Sequence, residues 1–155
     1  MGEPVEEIAY CGLYCGGCPA HTGAIADLAR DLRKELRTYR YEKTAATLAE
    51  MPYFAAFKDY DTCYEVLGAM VKLRCRKACR DGGGNPHCPI RTCATKREYE
   101  GCWECNEFED CDRLIFLEGN HGIAHLRNLR AIRRKGVEGF LEGRKPWYVK
   151  PPARC

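Results

Sequence analysis

The chain has 155 residues, which is enough for one domain with a hydrophobic core or for two small lobes. An apolar content of 45% and a charged content of 30% are typical of a globular protein and exclude a disordered one. The formal net charge of +3 counts all 12 cysteines as neutral, although cysteines bind metals as thiolates. With ten thiolates and two divalent ions the net charge becomes about −3, so the bare charge does not indicate nucleic-acid binding.

Cysteine is the most over-represented residue, and such a density is typical of secreted disulfide scaffolds or of intracellular metal sites. The first residues, MGEPVEEIAY, have neither the basic region nor the apolar run of a signal peptide. No apolar run is long enough to span a bilayer. We therefore expect a cytoplasmic protein with reduced cysteines that bind metal, and disulfides are the alternative.

The first cysteine segment is CGLYCGGC, in which Cys11, Cys15 and Cys18 have C-x3-C-x2-C spacing. Its glycines allow the backbone to turn tightly around an ion. Because a tetrahedral site takes four ligands, three thiolates predict that this segment packs against further cysteines. Radical S-adenosylmethionine enzymes use the same spacing for an iron–sulfur cluster, but this chain is too short for their barrel.

The segment from about residue 22 to 74 is predicted to be helical, because its apolar residues recur with a helical period and no period-2 alternation occurs. Thr22 is the candidate N-cap of the first helix, Pro52 interrupts the second and Asp61 caps the third. The expected core-facing residues are Ile25, Leu28, Leu32 and Leu36 in the first helix, and Cys63, Val66, Leu67, Met70 and Leu73 in the third. We interpret Cys63 as a buried free thiol.

Residues 75–111 are rich in Gly, Pro and Asn, and such a composition does not build a large apolar core. Bound metal supplies the missing folding free energy in small modules of this kind. The segment contains Cys75, Cys79, Cys88, Cys93, Cys102, Cys105 and Cys111. The C-x2-C pair Cys102 and Cys105 is the strongest single signal, since this spacing suits two thiolates on one tetrahedral ion. Spacing leaves open which cysteines share an ion.

Two further helices are predicted in the C-terminal part, a short one in DRLIFLEG and a longer one that begins at Asn120 and stops at Gly136. We interpret His121 and His125 as solvated histidines on one face of the longer helix. His21 and His87, which flank cysteine motifs, are alternative metal ligands. We expect no metal-binding role for Cys155 at the end of the chain.

The longer helix carries a basic stretch, and the preceding residues 98–118 are acidic. The basic residues are Arg127, Arg130, Arg133, Arg134 and Lys135. Aromatic residues are not interleaved with them as stacking on nucleic-acid bases requires, so nucleic acid is not the expected partner. Two alternatives remain for the basic stretch: it pairs with the acidic stretch within the fold, or it binds an acidic partner.

The combined motifs resemble one known family. They are YCGLYCGGCPAH, CPIRTCATKREYEGCWECNEFEDCDRL and NLRAIRRKGVEGFLE. Together they are similar to domain-of-unknown-function family thirty-seven ninety-five, a group of small cysteine-rich prokaryotic proteins. The resemblance implies zinc binding and no established reaction. The pair Cys75 and Cys79 departs from the family pattern, because its spacing is C-x3-C where the family has C-x2-C.

The sequence therefore predicts one mainly α domain over residues 1–155. Its helical parts are expected at about 22–74 and 112–144, and an irregular, zinc-knuckle-like lobe at about 8–21 plus 75–111. The predicted metal ligands are Cys11, Cys15, Cys18, Cys75, Cys79, Cys88, Cys93, Cys102, Cys105 and Cys111. We expect two structural Zn²⁺ ions and a binding or adaptor module with a protein partner. The alternative is a redox or sulfur-handling enzyme with a [4Fe-4S] cluster on the first triad. Whether the protein is an enzyme and its oligomeric state stay open.

Overall fold

The computed structural model describes residues 5–152, in which regular structure consists of α-helices and 3-10 turns and no strand is formed. The predicted mainly α fold is confirmed. No helix of this described part is both apolar and long enough to cross a membrane. The helices are α1 (Pro19–Thr22), α2 (Ala24–Thr38), α3 (Tyr41–Ala49), α4 (Tyr60–Lys72), α5 (Pro89–Lys96), α6 (Glu118–His121) and α7 (Ala124–Leu141). Cys155 lies outside the described residues.

The described chain divides into two compact units. Thr22–Arg74 forms the helical unit, which contains α2, α3 and α4. Residues 5–21 and 75–152 form the cysteine unit, which contains all ten predicted metal ligands. The first cysteine segment thus belongs with the later ones although the helical unit separates them in sequence.

In the helical unit α2 and α4 pack in antiparallel orientation. Asp27, near the start of α2, pairs with Arg74, which follows α4. Near the other end, the ring of Tyr41 lies 6.2 Å from that of Tyr60 at the start of α4. The contact side of α2 is formed by small residues, since Ala26 and Ala29 are buried there.

The expectation that the apolar stripes of these two helices form a core is wrong for most of their residues. On α2, Ile25 and Leu32 are each 49% exposed and Leu28 is 69% exposed. On α4, Val66 is 47% and Leu73 70% exposed. Cys63 is exposed as well, whereas Leu36, Leu67 and Met70 are half-buried. The physical reason is that α2 packs through its alanine side, which lies beside the leucine stripe on the helix.

The predicted caps also differ from those observed. Thr22 ends the short helix α1, and Gly23 in the left-handed region, with φ 77°, caps α2. Asp61 lies inside α4, which is preceded by Asp59. Ile123 precedes α7, and Asn120 belongs to the short α6.

The core of the cysteine unit surrounds α7. Ile8, Phe108, Leu129 and Phe140 are fully buried in it. Gly136, the predicted stop, is a kink with φ 76° and ψ 171°, after which α7 resumes to Leu141. The expected helix in DRLIFLEG is a 3-10 segment, Asp112–Leu117, followed by α6. This unit has few long elements, so its fold depends on side-chain contacts between loops.

Candidate metal centre

Two pairs of cysteines close the same kind of turn. In the 3-10 turn Cys15–Gly17, the backbone N–H of Cys18 donates to the carbonyl of Cys15 at 2.9 Å. In the turn Cys102–Glu104, the N–H of Cys105 donates to the carbonyl of Cys102 at 3.1 Å. Each C-x2-C motif therefore holds its two cysteines next to each other through a local backbone hydrogen bond.

Four of the predicted ligands surround one cavity of about 30 Å³. Cys93 comes from α5, Cys102 and Cys105 from the second turn, and Cys111 from the residue between two 3-10 segments. The apolar wall is formed by Ile90, Ala94, Phe108 and Leu114. A small cavity with an apolar wall and four sulfur donors is suited to a soft or borderline metal ion rather than to a polar metabolite.

The electrostatics of this first group follow from burial and from mutual repulsion. Burial and, after it, the neighbouring thiols of Cys111, Cys105, Cys93 and Cys88 together raise the pKa of the Cys102 thiol to about 12. A guanidinium N–H of Arg97 lies 3.9 Å from the sulfur of Cys105. Without a cation Cys102 is therefore protonated at neutral pH, and a metal ion that binds here has to displace its proton.

A second group consists of Cys15, Cys18, Cys75 and Cys79. Burial raises the pKa of Cys15, the backbone N–H of Cys79 lowers it by hydrogen bonding, and the other three thiols raise it. Cys75 is fixed by two hydrogen bonds, from its N–H to the carbonyl of Ala20 and from its sulfur to the carbonyl of Lys77, both 2.9 Å. Cys75 and Cys79 therefore lie beside Cys15 of the first triad, although their spacing differs from the family pattern.

The remaining two predicted ligands lie between the groups. Cys11 is buried, and its pKa is raised by burial and then by Cys79, Cys102 and Cys88. Cys88 is half-buried against the core at the start of α5. The structure thus brings the ten cysteines together as two groups of four with two cysteines between them.

Coordination geometry itself is not formed by the side chains as they stand. Among residues 5–152, no three or more His, Cys, Asp or Glu side chains are arranged so that they could hold one metal ion. The number and type of sulfur donors fit a metal, whereas the ten individual ligands stay a prediction.

Arg91 organises the loop between the two groups, and sequence reasoning missed its role. Its guanidinium donates to the carbonyls of Cys79 and Gly83, both at 3.0 Å, and of Asn85 at 2.8 Å and Pro86 at 3.3 Å. A fifth contact reaches the sulfur of Cys79 at 3.9 Å. The glycine-rich turn is therefore fixed to α5 by one side chain, and the only signal in the sequence is the Ile-Arg pair of the family motif.

Arg80 has a similar role on the N-terminal side. It donates to the carbonyls of Ile8 at 2.8 Å and Glu100 at 2.7 Å. Its guanidinium lies 4.7 Å from the ring centroid of Tyr10 and 5.7 Å from that of Trp103. Arg80 thereby connects the first cysteine segment with the loop that leads to Cys102.

The prediction that His121 and His125 are solvated is wrong, because both are buried. A ring nitrogen, Nδ1, of His121 lies 3.1 Å from the carbonyl oxygen of Trp147, and the two rings pack edge to face. The C-terminal segment covers this region through a pair of backbone hydrogen bonds between Val149 and residues 121 and 123. Of the other histidines, His87 is exposed and His21 is half-buried, with a buried Nδ1 that has no partner among the described residues.

The predicted pairing of the basic and acidic stretches is confirmed at one position. Arg130 donates from Nε to Oε1 of Glu109 at 2.8 Å. This hydrogen bond and the positive charge of Arg130 hold the pKa of Glu109 below its usual range. Arg133 also contacts this region, through the amide of Asn106.

Comparison with known proteins identifies a family but no characterised relative. The family model described as "Protein of unknown function (DUF3795)" matches residues 7–115, which is more than half of the chain. No curated protein and no solved structure matches the chain. The matched residues include both C-x2-C turns and all ten clustered cysteines, and the chain belongs to the DUF3795 family.

Proposed function

We propose that this protein is a thiolate metal-binding module of a reducing compartment such as the cytoplasm, and that it holds two structural zinc ions. One observation carries this proposal: Cys93, Cys102, Cys105 and Cys111 surround a single small cavity with an apolar wall. Four thiolates match the ligand number and type of structural zinc sites. We assign these four cysteines to the first ion.

The second ion belongs to Cys15, Cys18, Cys75 and Cys79, which are electrostatic neighbours around Cys15. His21, whose buried Nδ1 lacks a partner among the described residues, is the alternative donor beside this group. In this assignment Cys11 and Cys88 bind neither ion and lie beside the two sites as free thiols. A site with four protein ligands has no open position for water or substrate, so the proposed role is to support a binding surface rather than to catalyse a reaction.

The grouping of the cysteines favours zinc over a cluster on the first triad. The thiols that raise the pKa of Cys11 include Cys79 and Cys102, whereas those around Cys15 are Cys79, Cys18 and Cys75. The two thiols share Cys79 as a neighbour, but Cys18 neighbours Cys15 and Cys102 neighbours Cys11. We therefore assign Cys15 and Cys18 to one site without Cys11, whereas a cluster on the first triad needs all three.

The test is to purify the full chain without oxygen, record its visible spectrum and measure zinc, iron and acid-labile sulfide. We expect about two zinc ions per chain and no absorption near ~400 nm. Cys102→Ala should lose one zinc ion, whereas the matched control Cys63→Ala, at an exposed cysteine of the helical unit, should lose none. Iron with equimolar sulfide, or equal zinc loss in both variants, would contradict the proposal.

A further inference from the structure

A cleft that opens to solvent lies on the outer side of the first cysteine group. Its volume is about 530 Å³, and it runs between the end of α5 and residues 105–113. Three of the four cysteines that surround the inner cavity, Cys93, Cys105 and Cys111, line this cleft as well. Three ligands of the proposed first zinc ion are therefore within reach of a molecule in the cleft.

The rim of the cleft carries charges of both signs. Arg97 directly follows α5, and its guanidinium lies 3.9 Å from a carboxylate oxygen of Glu107. Arg113, Asp110 and Asp112 line the cleft too, and within residues 5–152 their side chains form no ion pair or hydrogen bond. All five residues are exposed. Arg113 is therefore available to a carboxylate, and the two aspartates are available to an ammonium group.

The volume of the cleft sets the size of its ligand. Sites for small molecules typically measure about 300–1,000 Å³, and this cleft lies in that range. A small molecule that carries one carboxylate and one ammonium group matches both the space and the unpaired charges of the rim.

The cysteines that line the cleft add a third requirement. A thiol can compete for a zinc ion that is held by thiolates, because sulfur is a preferred ligand of zinc. A guanidinium N–H of Arg97 lies 3.9 Å from the sulfur of Cys105. The cleft thus places a positive charge where one thiolate leaves the ion and another arrives.

We propose that the cleft binds a low-molecular-weight thiol that carries both a carboxylate and an ammonium group, as free cysteine does, and that the first zinc ion is transferred to this thiol. The inference rests on the proposed zinc site of Cys93, Cys102, Cys105 and Cys111 and names the molecule with which that site exchanges its ion. In each step one zinc–sulfur bond to the chain breaks and one to the incoming thiol forms. The proton of the incoming thiol passes to the released cysteine, and no electrons are transferred. Because ligands are replaced one at a time, the transfer needs no open coordination position.

The test measures zinc transfer from the full, zinc-loaded chain to excess L-cysteine and, separately, to 2-mercaptoethanol, which lacks both charged groups. The zinc that stays on the protein is measured at intervals after rapid gel filtration. The kinetic phase of the first group is the one that is absent from Cys102→Ala. Comparison of the two thiols within each chain removes the difference in their own affinities for zinc.

We expect Arg113→Gln to slow transfer to cysteine about threefold to fivefold more than transfer to 2-mercaptoethanol, which is the effect of one exposed ion pair. Arg144→Gln is the matched control, because it removes the same charge at an exposed residue of the same unit and should slow neither transfer. Circular dichroism and the initial zinc content should be equal in the wild type and both variants.

A second pair of probes separates the two charged groups of the ligand. Cysteamine carries an ammonium group and no carboxylate, whereas 3-mercaptopropionate carries a carboxylate and no ammonium group. The double variant Asp110→Asn with Asp112→Asn should slow transfer to cysteamine more than to 3-mercaptopropionate, and Arg113→Gln should do the reverse.

Three results would overturn the proposal: equal slowing of all four thiols by Arg113→Gln, equal effects of Arg113→Gln and Arg144→Gln, or a first zinc ion that no thiol removes. The zinc content before thiol is added distinguishes the two levels of failure. A chain that holds no zinc contradicts the proposed function and this inference with it, whereas a chain that holds two ions and transfers neither contradicts this inference alone.

Discussion

In the cysteine unit, single arginine side chains donate hydrogen bonds to backbone carbonyls that regular strands or helices would satisfy in a larger domain. Arg91 satisfies four backbone carbonyls of a turn that has no regular structure. Such carbonyls are costly when they are left without a donor in a partly buried place. The guanidinium is suited to this role because it presents five N–H donors in one plane.

We expect Arg91→Met to lower the free energy of unfolding by at least about 2 kcal/mol, because hydrogen bonds from a charged donor are lost and several carbonyls remain unsatisfied. Urea unfolding of the metal-loaded protein measures this difference. Arg76→Met, at an exposed arginine of the same loop region, should change stability by less than about 0.5 kcal/mol. Similar losses in both variants would mean that general charge, and not the carbonyl contacts, is responsible.

His125 makes stability depend on pH. Burial lowers its pKa, while Glu118 raises it and the charge of His121 lowers it. The folded chain therefore binds fewer protons than the unfolded chain when the pH falls below the ordinary histidine pKa of about 6.5. It follows that the contribution of His125 to stability decreases as the pH falls, by at most about 1.4 kcal/mol per pH unit.

The check is to compare unfolding free energies of the wild type and of His125→Leu between neutral and mildly acidic pH. The wild type should lose more stability on acidification than the variant, because the variant lacks the buried imidazole of His125. Loss of metal at low pH affects both chains and cancels in the difference. His87→Leu, at an exposed histidine, should behave like the wild type, and parallel pH curves for all three chains would refute the expectation.

At the scale of elements, close approach of backbone and helix decides where the first cysteine segment lies. Gly12 has φ 82°, a conformation that favours glycine, and a Cβ at this position would lie 3.0 Å from Cγ of Leu129 on α7. Because Gly12 has no side chain, the backbone that carries Cys11 and Cys15 can lie directly against Leu129.

Gly12→Ala should destabilise the chain by about 1–3 kcal/mol, since it adds backbone strain and forces Leu129 out of its buried position. Thermal unfolding with and without zinc measures the effect. Gly119→Ala is the matched control, because Gly119 lies in α6 with no atom within 4 Å of a new Cβ. The control should be neutral or slightly more stable, and an equal loss of stability in both variants would be evidence against this account.

The elements also mark the limit of what the sequence predicts. Periodicity identified the helical segment between residues 22 and 74, but not the side through which α2 packs, because alanines and leucines lie next to each other on one helix. Spacing identified the cysteine pairs that close local turns. Spacing could not show which cysteines lie together in the fold. Cys15 is a neighbour of Cys75 and Cys79, which are separated from it in sequence by the whole helical unit.

At the scale of the whole molecule, the two units should respond differently to loss of metal. If zinc holds the cysteine unit, chelation removes folding free energy from that unit alone. We expect amide hydrogen exchange to accelerate in residues 75–111 after chelation, whereas α2 and α4 keep their protection. The helical unit serves as an internal control, and uniform acceleration in both units, or none in either, would contradict the expectation.

The backbone N–H of Cys75 donates to the carbonyl of Ala20, so residues 20 and 75 lie next to each other. This hydrogen bond joins the two ends of the excursion that the chain makes through residues 22–74, so the excursion leaves and re-enters the cysteine unit at nearly the same point. A short flexible linker can bridge such a gap. The intervening segment is therefore inserted into the cysteine unit at a single point, and the cysteine scaffold is closed across the two ends of the insertion.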